Sequence, residues 1–138
     1  MLKKTIVVSL VSLFTVASNA EVINIEDPFE VPKYLQEALS ECKTTKDELI
    51  TPWKHDLKYE FEMKDENCHM RVEVVSSGTR VHCIFPQDMI EGLSVYQGEI
   101  ADWMEKSDGS SQPRYELNGK KWANLDQLFI SEGLCTEI

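Results

Sequence analysis

The clearest pattern in the chain is a change of hydrophobic period. Val31, Tyr34, Leu35, Ala38, Leu39 and Cys42 recur at the three-and-four spacing of one helical face, and Pro32 suits the first turn of such a helix. From Leu57 the spacing becomes two. Leu57, Tyr59, Phe61 and Met63 alternate with Lys58, Glu60, Glu62 and Lys64. Cys68, Met70, Val72 and Val74 continue the alternation beyond a turn at 64–67, and Val81, Cys83 and Phe85 resume it beyond a turn at 76–79. This predicts a three-stranded antiparallel meander with one face buried and one wet. Residues 21–29 read as extended chain, and 43–56 as a polar connection carrying Pro52 and Trp53.

Helical spacing returns after Pro86, where Met89, Leu93, Tyr96, Ile100, Trp103 and Met104 predict a second helix over 87–106. Gly98 lies inside it at a cost of about 1 kcal/mol relative to alanine and marks its weakest point. After a loop at 107–113, Asn118-Gly119 predicts a small hairpin. Asn124, with Gln127 three residues later, predicts the start of a short helix that Gly133 stops, leaving Cys135 just beyond. The resulting fold class is α+β: the three-stranded meander packed by an N-terminal helix and C-terminal helices.

The first twenty residues stand apart from this domain. Lys3 and Lys4 precede an apolar run, and Ser18-Asn19-Ala20 supplies small residues at the positions a signal peptidase reads. The run is too short to span a bilayer, which needs about 20 apolar residues. Residues 1–20 are therefore expected to be a cleaved signal peptide and 21–138 a single domain. No cysteine precedes Cys42, so no lipid attachment is expected at the cleavage site, and the product should be soluble in the periplasm or outside the cell. All 24 acidic residues lie beyond residue 20, whereas Lys3 and Lys4 take two of the 14 basic ones, which leaves a formal charge of −12. Such a chain repels phosphate backbones and anionic headgroups, which argues against nucleic-acid and membrane partners; the charge suits simple solubility, the default, or a basic protein partner.

Four cysteines in an exported chain, Cys42, Cys68, Cys83 and Cys135, predict two disulfides. Two of them sit in mirrored dipeptides, Cys68-His69 and His82-Cys83, which raises zinc as an alternative. Adjacent strand residues point to opposite faces, so neither dipeptide is a ligand pair. A hairpin centred on Ser77-Gly78 sets His82 opposite Glu73, His69 opposite Pro86 and Cys83 opposite Val72. The histidines are then about four residues out of register, about 13 Å apart, and no metal is expected. The same register separates Cys68 from Cys83 and so removes the Cys42–Cys135 pairing. Cys42–Cys83 with Cys68–Cys135 remains, slightly preferred, beside Cys42–Cys68 with Cys83–Cys135.

Leu35, Leu39 and Cys42, then Tyr59, Phe61, Cys68, Met70 and Val72, then Cys83, Phe85 and Pro86, then Glu132-Gly133-Leu134-Cys135 form an arrangement that covers most of the domain. It resembles a group of small exported four-cysteine proteins of Gram-negative bacteria. The resemblance implies a shared stapled fold and does not point to a function.

Catalytic patterns are lacking. There is no Cys-x-x-Cys, GxSxG, HExxH or phosphate-cradling glycine loop, and all four cysteines have a use in disulfides. Abundant carboxylates in an acidic chain are usually solvated surface. No cofactor and no catalytic residue are expected, and the chain reads as a non-enzymatic protein-binding or envelope accessory module. Its candidate contacts are Trp53, Glu60, Glu62, Arg71, Glu73 and His82. An inhibitor of a basic enzyme such as a lysozyme is the alternative, ahead of a small hydrolase.

Overall fold

The computed structural model describes residues 19–138. In chain order it comprises β1 (Asn19–Asn24), α1 (Glu30–Glu41), β2 (Thr45–Ile50), β3 (Leu57–Lys64), β4 (Asn67–Val74), β5 (Thr79–Pro86), α2 (Gln87–Lys106), β6 (Tyr115–Leu117), β7 (Lys120–Trp122), α3 (Leu125–Ser131) and β8 (Cys135–Glu137). The fold is α+β as expected, but the sheet is larger than the meander. Its six strands run β1-β2-β3-β4-β5-β8, with β1 parallel to β2 and the other neighbours antiparallel. The meander β3-β4-β5 is its centre. The connection at 43–56 contributes β2, the extended segment contributes β1, and the C-terminus closes the far edge as β8. Most of the expected signal peptide lies outside the described residues, although Asn19 and Ala20 pair with Thr45 and Lys46 in β1.

The inner sheet face carries Leu49, Tyr59, Phe61, Cys68, Met70, Cys83 and Phe85, and the helices supply Leu39, Leu93, Tyr96, Leu128 and Phe129 to the same core. Helix α2 is unbroken at Gly98. A Cβ there would lie 2.5 Å from Gln36 Nε2, so the glycine permits close approach of α1. Ser94 Oγ, which donates to Gln36 O at 2.6 Å, fixes the same crossing. The Asn124 cap forms as expected, its Oδ1 accepting from Gln127 N at 3.2 Å. Asn118 and Gly119 adopt the positive φ of a tight hairpin, 53° and 81°.

Two corrections concern the central hairpin. The β4–β5 turn spans residues 75–78 instead of centring on Ser77-Gly78. Val74 O accepts from Ser77 N at 3.3 Å and from Gly78 N at 2.8 Å, and Gly78 closes the turn at φ 72°. Every pairing shifts by two residues: His82 lies opposite Arg71, His69 opposite Ile84, and Cys83 opposite Met70. A two-residue shift keeps each side chain on its expected face, since sheet faces alternate with period two. The second correction is the disulfide pairing. The bridges are Cys42–Cys68 and Cys83–Cys135, not the preferred alternative. Cys135 sits on β8, directly opposite Cys83 with Cα atoms 4.0 Å apart. The neighbouring pair Ile84–Leu134 carries the ladder hydrogen bond, so the cysteines occupy the narrow non-hydrogen-bonded position. Cys42, in left-handed conformation at the end of α1, reaches Cys68 on the underlying sheet.

Both disulfides fit a compartment outside the reducing cytoplasm. Among the described residues, no helix is long and apolar enough to cross a membrane.

Candidate functional site

Among the described residues, the three helices pack on the inner sheet face and none covers the outer one. The register aligns outer-face residues in rows across the strands. One row runs Val22, Glu48, Lys58, Glu73, Arg80 and Ile138, so that charges of alternating sign lie between two exposed apolar ends. The next runs Ala20, Lys46, Glu60, Arg71, His82 and Thr136. A third sets Glu62 beside His69 and Ile84. A hollow of about 440 Å³ crosses the first two rows from Val22 to Ile138.

Five of the basic side chains on this face, Lys46, Lys58, Lys64, Arg71 and Arg80, meet four acidic ones, Glu48, Glu60, Glu62 and Glu73. Beyond residue 20 that leaves seven bases against 20 acids for the rest of the chain. The sheet face is thus close to charge balance in a strongly acidic protein. Its charges are also loosely held. Among the described residues only Arg71 and Glu62 approach ion-pair range on this face, at 3.9 Å, and both side chains are exposed. Such a pair contributes little to stability.

The structure brings the expected contacts Glu60, Glu62, Arg71, Glu73 and His82 together on this one face. Trp53 sits at its margin, 37% exposed. Its loop is well tied: Asp56 Oδ1 accepts from Thr51 N at 2.9 Å, Thr51 Oγ1 from His55 N at 3.1 Å, and Asp56 O from Val75 N at 3.0 Å. Those bonds tie the loop that carries Trp53 to the end of the sheet where Leu57 pairs with Val74, away from Glu62. Lys46, Glu48, Arg80, Val22 and Ile138 belong to the same face and escaped the sequence reading. The first two lie on β2, where the polar inward residues Thr45 and Asp47 interrupt the period-two alternation that would have placed them.

The largest departure from expectation is the histidine pair. Instead of standing about 13 Å apart, His69 Nδ1 and His82 Nε2 are 3.0 Å apart, with ring centroids at 5.2 Å. Which nitrogen donates depends on the tautomer. Partial desolvation, helped by the charges of Arg71, His69 and Lys64, holds His82 below the usual histidine range.

A second cavity of about 440 Å³ lies between the inner face and the helices, lined by Leu39, Val81, Phe85, Leu93 and Phe129 with Asp126 and Gln97 among the polar members. Tyr59 beside it is pushed up to about 12, by burial first and the Asp126 carboxylate second, and stays a neutral phenol. Among the described residues, no group of three or more His, Cys, Asp or Glu side chains converges as a metal cage would require. No family model, curated protein or solved structure matches the chain.

Proposed function

We propose that this is an exported, non-enzymatic protein-binding module of the bacterial envelope or its surroundings, and that the outer sheet face is its contact surface. One observation carries the reading: a six-stranded face that none of the described helices covers, bearing rows of alternating charge that are not consumed by ion pairs with one another. The matching surface is a protein patch of mixed charge with apolar spots to meet Val22 and Ile138, which stand at 66% and 56% exposure. Charge complementarity of this kind sets register and partner choice more than raw affinity. The two disulfides support the reading by holding the face rigid, which lowers the ordering cost of association. The N-terminal pattern and the fully used cysteines support export.

A second reading is favoured by the segregation of charge. Asp88, Glu91, Glu99, Asp102 and Glu105 are all exposed on α2, and this helical side would suit a basic enzyme such as a lysozyme as an inhibitor's target.

Affinity capture from an envelope extract compares the two. Wild type should retain a stoichiometric partner that Glu60→Lys/Glu73→Lys loses and Glu99→Lys/Asp102→Lys keeps. Loss with the helix variant alone, together with inhibition of a basic enzyme, transfers the function to the helical side. Turnover in a hydrolase screen without any retained partner overturns both.

A further inference from the structure

The two histidines brought together by the corrected register have the spacing of ligands to one metal ion. With metal–nitrogen bonds of about 2.0–2.1 Å, two nitrogens stand about 2.9 Å apart in adjacent square-planar positions and about 3.3 Å apart in a tetrahedron. The observed 3.0 Å between His69 Nδ1 and His82 Nε2 falls between these limits. We propose that His69 and His82 form a bidentate surface site for a divalent transition-metal ion that favours imidazole, Cu(II) foremost and Zn(II) more weakly.

The two strands are prepared for this. His69 follows Cys68, bonded to Cys42, and His82 precedes Cys83, bonded to Cys135. Each histidine therefore stands one residue from a staple on the opposite face, and the pair is held in register before any ion arrives. With two ligands on one rigid scaffold, binding of the second imidazole is intramolecular, which raises affinity well above that of a lone histidine.

The proton balance is simple. In the hydrogen-bonded pair one facing nitrogen carries a proton. Metal binding requires that proton to move to the far nitrogen of the same ring, so that His69 is protonated at Nε2 and His82 at Nδ1. A rotation of each ring then turns both free lone pairs toward a shared ion, and two neutral rings release no proton. Arg71, in register with His82, and Lys64 oppose the cation, whereas Glu62, in register with His69, stands where a carboxylate would offset them. With two protein ligands and water completing the shell, the affinity belongs in the micromolar range, a weak site and not a structural one.

Titration of the disulfide-bonded protein with Cu(II), followed by calorimetry and by electron paramagnetic resonance, tests the site. Wild type should bind one ion with a micromolar Kd and show hyperfine structure from two imidazole nitrogens. His69→Gln and His82→Gln should each weaken binding at least about tenfold, Glu62→Gln less, and His55→Gln not at all. These are surface replacements, and circular dichroism of each variant confirms the fold. Absence of saturable binding up to 100-fold the protein concentration, or binding that survives either His69→Gln or His82→Gln, overturns the proposal.

Discussion

Tyr34 on α1 donates its hydroxyl hydrogen bond to Asp47 Oδ2 on β2, joining the helical layer to a carboxylate on the inner side of the sheet. Burial, reinforced by this bond and the Asp47 charge, raises the Tyr34 hydroxyl far above its ordinary range. Tyr34 also packs its ring 5.5 Å from Tyr59 and 6.4 Å from Phe61. Tyr34→Phe keeps that packing and removes only the donor. It should cost about 1.5–3 kcal/mol, the usual worth of a hydrogen bond to a charged group. Asp47→Ala should cost a similar amount, and the double variant no more than the larger single effect. Urea unfolding of the three variants measures the coupling; strict additivity would show that the contact contributes nothing of its own.

Asp47 also explains what the sequence concealed. The alternation in β3, in β4 and from Val81 onward in β5 is apolar on its inward positions and was legible at once, as were the Asn124 cap and the Asn118-Gly119 turn. In β2 the inward positions are Thr45, Asp47 and Leu49, so a polar partner for Tyr34 breaks the signal. β8 has three residues, too few for any period, yet its pairing with β5 decides the disulfide connectivity. Strand parity correctly put the histidines on the outer face. Their mutual distance depended on turn length, and a shift of two residues, invisible to parity, turned remote side chains into neighbours. The candidate contacts were legible as a face, and the rows that organise them were not.

The disulfides close loops of different length, with sequence separations of 26 for Cys42–Cys68 and 52 for Cys83–Cys135. Each should contribute about 2–4 kcal/mol. Doubling the loop adds about 0.6 kcal/mol in the chain-entropy account. Loss of Cys83–Cys135 also frees β8 from the sheet edge. Cys83→Ala/Cys135→Ala should therefore lower the urea midpoint more than Cys42→Ala/Cys68→Ala. Hydrogen exchange should show β8 amides opening first. Equal midpoints with β8 still protected would show that the edge strand holds without its staple.

His82 gives stability a pH dependence of definite sign. The His82 pKa is lowered in the folded protein from its ordinary 6.5, first by desolvation and then by Arg71, His69 and Lys64. The unfolded chain thus takes up this proton first. The contribution is fully present above about pH 6.5 and is lost as pH falls below it. Urea midpoints should decline from pH 7 to about pH 5.5 in the wild type, mostly above the range where carboxylates titrate. His82→Gln should flatten that decline. A wild-type midpoint constant over this range, or one that rises on acidification, contradicts the assignment.

The α1–α2 crossing offers the sharpest packing test, because at Gly98 two effects of opposite sign meet. Alanine in place of glycine inside a helix should gain about 1 kcal/mol from propensity alone. At this position a Cβ meets Gln36, 2.5 Å from Nε2 and 2.7 Å from Cδ, so the glutamine side chain must leave its place. Gly98→Ala alone should show little or none of the gain. In a Gln36→Ala background the obstacle is gone, and Gly98→Ala should then stabilise by about the full 1 kcal/mol. The backbone carbonyl of Gln36 survives that change, so its bond from Ser94 is retained and the comparison isolates the side chain. A double-mutant cycle by chemical denaturation reads the difference. If Gly98→Ala has the same effect in both backgrounds, Gln36 is not what keeps this position glycine.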